Sequence, residues 1–191
     1  LLVVGGSQGA KILGEIVPRA TALLDAELRS RLCVVQQCRA EEVDTAKSNF
    51  GRAHIQAEVS TFFDDIPERL AKATLVVCRS GASTVAELAA MGRPALLVPF
   101  AHATDDHQTA NAEGLCDAGG GWIIQQDALT AEHLAERLTS LLTPGPTLSM
   151  AAKCAAQMGK LEAAAQLADL VVSVLDGNGN GDLADRQEAA A

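Results

Sequence analysis

Short apolar runs alternate with longer segments of helical periodicity along most of this chain. Leu1 to Val4 contains no polar residue, and the runs within Thr74 to Cys78 and Ala95 to Val98 are also mainly apolar. Such runs predict strands buried on both faces, and the amphipathic segments between them predict helices. The alternation therefore predicts an α/β fold, a Rossmann-like doubly wound parallel sheet with ligands at the carboxyl ends of its strands.

The full pattern predicts the following elements along the chain. Strands are predicted at 1–4, 31–36, 54–57, 74–78 and 95–98, and a turn followed by a sixth short strand is predicted within 119–124. Helices are predicted from about residue 10 to 27 and at 40–48, 65–73, 83–91, 105–118, 130–142, 148–158 and 160–175. The segment 58–63 is predicted to be a loop, and the last two helices, which are rich in alanine, are expected to pack back on the sheet.

The stretch from Val76 to Pro99 has the pattern of one strand–turn–helix–strand unit. Gly81 lets the backbone turn sharply and approach a ligand closely. Ser80, Ser83 and Thr84 are candidates to cap the new helix. The free amides and the dipole at such a helix start suit a phosphate. A carboxylate one turn further along this face, at residue 87, could accept hydrogen bonds from a sugar; the alternative is a capped helix with a solvated glutamate.

A glycine-rich turn follows the first strand. Gly5, Gly6 and Gly9 lie between the apolar run and the next helical segment, which is a common arrangement for holding a phosphate. The spacing differs from the dinucleotide-binding pattern, and no Gly-Lys-Ser/Thr sequence follows as in a P-loop. On this pattern alone, glycines that merely form the turn remain an alternative.

Two polar or aromatic segments are also expected at this edge of the sheet. Phe62 and Phe63 pack in the core or provide a platform for a planar base, and one residue can face each way. His107 is either a general acid or base or a polar surface histidine. Gln108 and Asn111, three residues apart, share a helix face and suit the recognition of hydroxyls.

Composition limits the possible partners. Of 191 residues, 48% are apolar, and the formal net charge is −9, so nucleic acid and anionic lipid are unlikely partners for this piece. No apolar run is long enough to span a bilayer, and no signal peptide is evident. The five cysteines form no CxxC pair and are expected to be reduced. Because the chain begins within a strand, we expect a domain excised from a longer protein.

The last residues differ from the rest of the chain. Asp176 to Leu183 matches the first positions of an EF-hand calcium loop, but Gln187 stands where a bidentate glutamate is expected. A flexible acidic tail at 176–191, following one domain at 1–175, is therefore predicted. Histidines and cysteines are too scattered to predict a metal site, and no cofactor is predicted.

Five segments closely resemble one family in unbroken order over about residues 1–175. They are Gly-Gly-Ser-Gln-Gly-Ala at 5–10, Phe-Phe-Asp-Asp at 62–65, Cys-Arg-Ser-Gly-Ala-Ser-Thr-Val-Ala-Glu at 78–87, Gly-Arg-Pro-Ala at 92–95 and His-Gln-Thr-Ala-Asn-Ala at 107–112. The chain resembles the C-terminal, donor-binding domain of the MurG family, the bacterial N-acetylglucosaminyltransferases that convert lipid I to lipid II in peptidoglycan synthesis.

The resemblance implies one half of a GT-B glycosyltransferase that binds the donor UDP-N-acetylglucosamine. Loop amides would contact the diphosphate, a backbone group of the second phenylalanine would read the uracil edge, the glutamate would hold the ribose and the glutamine would reach the sugar. Arg79 would be a possible helper at the diphosphate. The implied donor-binding residues are Ser7, Gln8, Phe63, Arg79, Ala82, Ser83, Thr84, Val85, Ala86, Glu87, His107 and Gln108.

The resemblance also implies what this part of the enzyme lacks. In the family, the N-terminal domain carries the lipid I acceptor site, the surface that docks on the membrane and the proposed base. The intact enzyme would be cytoplasmic and peripheral to the inner face of the plasma membrane. This half alone is expected to bind the donor weakly, if at all, and to be inactive, with no catalytic residue of its own.

Three other functions are alternatives to a glycosyltransferase. A nucleotide-sugar epimerase of similar architecture would need acids and a histidine in its own cleft, for which only His102 and His107 are candidates. A non-enzymatic nucleotide-binding or calcium-binding module would depend on the tail. A dinucleotide-binding oxidoreductase is disfavoured by the glycine spacing.

Overall fold

The computed structural model describes residues 1–6, 9–101, 106–143 and 145–175. Its sheet has six strands, all parallel, in the order β3-β2-β1-β4-β5-β6. The strands are β1 (Leu2–Val4), β2 (Cys33–Gln37), β3 (Gln56–Ser60), β4 (Val76–Cys78), β5 (Ala95–Leu97) and β6 (Gly121–Ile123). The predicted doubly wound parallel sheet is confirmed.

Helices connect these strands. They are α1 (Lys11–Ala22), α2 (Ala26–Arg31), α3 (Val43–Arg52), α4 (Ile66–Lys72), α5 (Ala82–Ala90), α6 (His107–Asp117), α7 (Ala131–Leu142), α8 (Thr147–Met158) and α9 (Ala163–Leu175). Short 3-10 turns lie at Ala40–Glu42 and Gln126–Ala128.

Successive residues of each strand pack alternately into two separate apolar cores, one on each face of the sheet. Val3 and Val77 belong to one apolar cluster, together with side chains of α1, α3 and α7. Leu2 and Val76 belong to the other, with side chains of α4, α5, α6 and α8. Because neighbouring strand residues point to opposite faces, both faces of the sheet are covered, as the continuous apolar runs require.

The chain divides into two compact units, Leu1–Gly159 and Lys160–Ala191. The first unit contains the sheet and α1 to α8. The described residues of the second are 160–175, and its helix α9 contains no buried residue. The predicted tail and its calcium-loop pattern at 176–191 lie outside the described residues.

Three local predictions were wrong. The first helix ends at Ala22, because Asp25 accepts a hydrogen bond from the Leu28 N–H at 2.7 Å and starts α2. The second strand consequently begins at Cys33 rather than at residue 31. The third strand covers Gln56–Ser60, so half of the predicted loop at 58–63 is strand. At the edge of the sheet, the polar residues of this strand remain exposed or half-buried.

Two further features are the state of the cysteines and the character of the helices. All five cysteines are described and free. Burial raises the pKa of the Cys78 thiol to about 12, with a smaller contribution from the Glu87 charge. In the described ranges, no helix has both the length and the apolar character needed to cross a membrane.

Candidate functional site

A cavity of about 700 Å³ opens where the adjacent strands β1 and β4 end. The chain leaves β1 toward β2 and returns to β4 on the other side, so this is the point at which the strand order reverses. Doubly wound sheets bind ligands at such points. The cavity is lined by Gly5, Gly6, Gly9, Ala10, Lys11, Ile12, Glu15, Arg39, Arg79, Gly81, Ser83, Thr84, Phe100, Gln108 and Gln126.

The glycine-rich loop forms one wall. Gly6 and Gly9 adopt φ angles of +84° and +68°, and the Gly9 N–H donates to the Gly6 carbonyl at 3.0 Å. Gly5 is required for a different reason, since a Cβ there would lie 2.2 Å from the backbone nitrogen of Ala10. The predicted site residues Ser7 and Gln8 lie outside the described residues.

The start of α5 forms the opposite wall. Gly81 is the N-cap, with φ −62° and ψ 148°. Any residue can adopt this extended conformation, so the prediction that the turn requires glycine here is wrong. Within the described part of the chain, no side chain caps α5. The predicted cap by Ser80, Ser83 or Thr84 is therefore wrong, and the first N–H groups of the helix remain for solvent or a ligand.

Ser80 instead joins α5 to α6. Its side chain is fully buried, and its hydroxyl donates to the Gln108 carbonyl at 2.7 Å. The Asn111 amide donates to the Ser80 carbonyl at 3.1 Å. The side-chain oxygen of Gln108 accepts the Phe100 N–H at 3.0 Å. Long-range contacts thus fix the start of α6 against the turn after β4.

Arg79 lies at the centre of this edge. Its Nη1 donates to the carbonyls of Val98 at 3.0 Å and Pro99 at 2.9 Å, and its Nη2 donates to Oε1 of Gln126 at 2.6 Å. Its guanidinium carbon lies 5.2 Å from the centre of the Phe100 ring. Burial lowers the pKa of Arg79 from its ordinary value, but the group remains charged at neutral pH.

The other basic residues of the cavity are Lys11, in α1, and Arg39, just after β2. Lys11 pairs with Glu15 at 3.6 Å, and both side chains are exposed. Arg39, just after β2, makes no ion pair with any described residue. Sequence reasoning missed it, although a basic residue directly after a strand next to β1 is a usable signal. It also missed Gln126 and Phe100, whose position depends on contacts distant in sequence.

The remaining predicted residues among those described do not line the cavity. Glu87 is exposed on α5, one turn beyond Ser83. Ala82, Val85 and Ala86 belong to the same helix, and Val85 is buried. His107 is exposed at the start of α6, and the other histidine candidate, His102, lies outside the described residues.

Phe62 and Phe63 differ in exposure, which is one of the arrangements that the sequence left open. Phe62 is 69% exposed and Phe63 is 7% exposed. The Arg69 guanidinium lies 4.0 Å from the Phe63 ring centre, bridges both carboxylate oxygens of Glu58 at 2.7 and 2.9 Å, and binds Asp65 at 2.5 Å. Hydrogen bonds from Arg69 lower the pKa of both carboxyls. This braces the loop that follows β3.

A buried carboxyl lies at the end of the 3-10 turn that follows β2. Glu42 is 8% exposed, and neither of its carboxylate oxygens has a hydrogen-bond partner among the described residues. Burial raises its pKa, partly offset by the nearby Arg39 backbone N–H, and the charges of Glu15 and Glu41 raise it further. The carboxylate packs on α1, where a Cβ at Gly14 would lie 2.2 Å from Oε2. Across the described residues, no group of three or more His, Cys, Asp or Glu could hold a metal ion.

Comparison with solved structures identifies the class of protein. The chain is similar to MurG of Acinetobacter baumannii, with a TM-score of 0.82 and 36% identity over 90% of this chain and 49% of that one. It also shares the fold of the glycosyltransferase VinC, at a TM-score of 0.59 and 21% identity over 82% of this chain and 36% of that one. The parallel sheet with its helices is the fold of one Rossmann-like half of a GT-B glycosyltransferase.

The family follows from the sequence comparisons. Residues 1–169 match the glycosyltransferase family 28 C-terminal domain, and the chain belongs to this family. It is 54% identical over 176 residues to the UDP-N-acetylglucosamine–N-acetylmuramyl-(pentapeptide) pyrophosphoryl-undecaprenol N-acetylglucosamine transferase of Rhodospirillum rubrum, covering 92% of this chain and 46% of the relative. Identity to the relative of the same name from Brucella suis is 45% over 177 residues, 93% of this chain and 47% of that protein. The chain spans about half the length of these relatives.

Proposed function

We propose that this chain is the donor-binding half of an N-acetylglucosaminyltransferase and that its cavity binds UDP-N-acetylglucosamine. One observation carries the proposal: the starts of α1 and α5, the glycine-rich loop and the guanidinium group of Arg39 meet around a single cavity of about 700 Å³. Helix N-termini and cations favour a diphosphate, and the volume suits a nucleotide sugar.

The family resemblance supplies the roles of the surrounding residues. The loop containing Ser7 and Gln8 contacts the donor near the diphosphate, and the segment from Ala82 to Ala86 lies near the phosphate and the ribose. Phe63 reads the uracil edge through its backbone, Glu87 accepts hydrogen bonds from the ribose hydroxyls, and Gln108, next to His107, reaches the sugar. The exposure of Glu87 and the fixed position of Gln108 support these roles.

In the intact enzyme, we propose, the acceptor is lipid I and the product lipid II. The acceptor hydroxyl oxygen bonds to the anomeric carbon on the side opposite the departing UDP, so the configuration inverts. The hydroxyl proton passes to a base outside this chain. Amides of the glycine-rich loop and the α5 dipole stabilise the leaving diphosphate. The acceptor site and a surface docked on the inner face of the plasma membrane belong to the other half, so this chain alone does not transfer the sugar.

Calorimetric titration of the chain tests the proposal. We expect saturable binding of UDP-N-acetylglucosamine, weaker binding of UDP-glucose and no preference for NAD. Glu87→Ala should reduce binding, whereas Glu136→Ala, at an exposed position of α7, should not. Failure to bind any uridine nucleotide would contradict a preformed donor site, and preference for NAD would contradict the glycosyltransferase assignment. Glycosyl transfer by the isolated chain would show that the predicted inactivity is wrong.

A further inference from the structure

Arg79 uses its terminal nitrogens on the protein itself. Both donate to protein oxygens, namely the carbonyls of Val98 and Pro99 and the side-chain oxygen of Gln126. These acceptors follow β5 and β6, and Arg79 follows β4, so one side chain joins the carboxyl ends of three adjacent strands. A phosphate ligand at Arg79 would have to compete with these short bonds.

The orientation of two glutamine amides follows from this arrangement. The Arg79 guanidinium and the Phe100 backbone N–H are donors only, so the atoms that they meet on Gln126 and Gln108 must be the side-chain oxygens. The NH₂ group of each amide is therefore directed away from these contacts. Both glutamines line the cavity, and each NH₂ group can donate to ligand oxygens.

Arg79 also fixes the segment that orients Gln108. It holds the carbonyls of Val98 and Pro99, and the next residue, Phe100, donates the N–H that Gln108 accepts. The Arg79 guanidinium lies over the Phe100 ring as well. A lysine keeps the charge at this position but lacks the planar fork that reaches three acceptors.

We propose that Arg79 is a positioning residue, which fixes Gln108 and Gln126 with their NH₂ groups toward the sugar end of the donor, rather than a ligand of the diphosphate. The inference rests on the proposed function and adds the residue that sets donor-sugar recognition. The two roles predict different losses. A residue that binds the diphosphate contributes equally to the affinities for UDP and for UDP-N-acetylglucosamine. A residue that positions the sugar-binding glutamines contributes only to the affinity for UDP-N-acetylglucosamine, and so to the preference for it over UDP.

The test compares Arg79→Lys with Arg52→Lys, an exposed position at the end of α3. Affinities of the chain for UDP and UDP-N-acetylglucosamine are measured by calorimetry. We expect Arg79→Lys to lower the preference for UDP-N-acetylglucosamine about fivefold, the value of one net hydrogen bond, with UDP affinity within about twofold. In a Gln108→Ala/Gln126→Ala background the same substitution should change the preference much less, because its effect passes through these two glutamines. An equal loss for both ligands, or an unchanged preference, would overturn the proposal.

Hydrogen exchange provides a measurement that needs no ligand. In Arg79→Lys the Phe100 amide should exchange several-fold faster, while in Arg52→Lys its rate should be unchanged. Equal protection of Phe100 in both variants would overturn the positioning role. If the chain binds no uridine nucleotide, the proposed function fails, and the exchange rates still decide whether Arg79 holds this segment.

Discussion

Replacing Gly5 by alanine is expected to disrupt the wall of the cavity. A Cβ at this position would lie 2.2 Å from the Ala10 nitrogen and 2.7 and 2.9 Å from two backbone atoms of Gly9. All three contacts are with backbone, so rotating a side chain cannot relieve them. The loop and the start of α1 must move, which costs about 1–3 kcal/mol on the scale of over-packed sites.

Gly51 provides a matched control, because the same substitution should have the opposite sign there. Gly51 is an exposed residue of α3, and a Cβ would meet nothing within 4 Å. Alanine is favoured over glycine in a helix by about 1 kcal/mol. The two variants should therefore differ in free energy of unfolding by about 2–4 kcal/mol, although each adds only one methyl group.

Urea denaturation and UDP titration of both variants measure this difference. Gly5→Ala should shift the midpoint to lower urea and weaken UDP binding, since the displaced amides belong to the proposed diphosphate site. Gly51→Ala should shift the midpoint slightly upward and bind UDP as the parent chain does. If the Gly5→Ala protein had the same stability and UDP affinity as the unmodified chain, the reasoning would be refuted. The loop would then accept a Cβ where the structure shows backbone atoms too close to allow one.

Three further predictions concern other sites. Glu42→Gln should stabilise the chain by about 1 kcal/mol at pH 7. Because the pKa of Glu42 is raised in the folded chain, the wild-type protein has its full stability below the ordinary glutamate pKa and loses stability as the pH rises. The stability advantage of the glutamine variant should therefore vanish in acid. Gly81→Ala should fold normally, because the nearest atom to its Cβ is Thr84 Oγ1 at 3.9 Å, yet bind UDP more weakly if the phosphate meets the start of α5. Thr130→Ala should cost about 1 kcal/mol, since the Thr130 hydroxyl accepts the His133 N–H at 3.1 Å and caps α7.

Each of these has its own control. The Glu42→Gln comparison needs denaturation at several pH values, and an advantage independent of pH would contradict the buried-charge explanation. For Gly81→Ala, a large loss of stability would show that the start of α5 is more crowded than the structure indicates. Thr139→Ala, at an exposed position within α7, should not destabilise the chain, and a loss equal to that of Thr130→Ala would exclude the cap as the cause.

The order of elements could be predicted from the sequence because it depends on local periodicity. The apolar runs of β1, β4 and β5 are buried on both faces, and Thr130 marks the start of α7 through its own neighbours. Errors arose where a local signal was overlooked or ambiguous. Asp25 starts a separate helix, and the polar residues of the edge strand β3 resemble a loop.

The candidate site was predictable only in part. The glycine-rich turn and the start of α5 have local signatures, and both line the cavity. The contacts of Ser80 and Arg79 have no local signature in the sequence. Ser80 bonds Gln108, which is 28 residues away, and Arg79 bonds Gln126, which is 47 residues away. Such pairs depend on which strands become neighbours, and the hydrophobic pattern of a single segment carries no information about that.

The position of the cavity between β1 and β4 links nucleotide binding to the cooperativity of folding. One wall follows the first three strands of the chain and the other follows the last three, and the strands of the two sets pair with each other through β1 and β4. A folding intermediate with only one set formed would have half a site. A uridine nucleotide would then act as a chemical chaperone, adding about 2.7 kcal/mol at a hundred times its dissociation constant to the complete fold and nothing to either half.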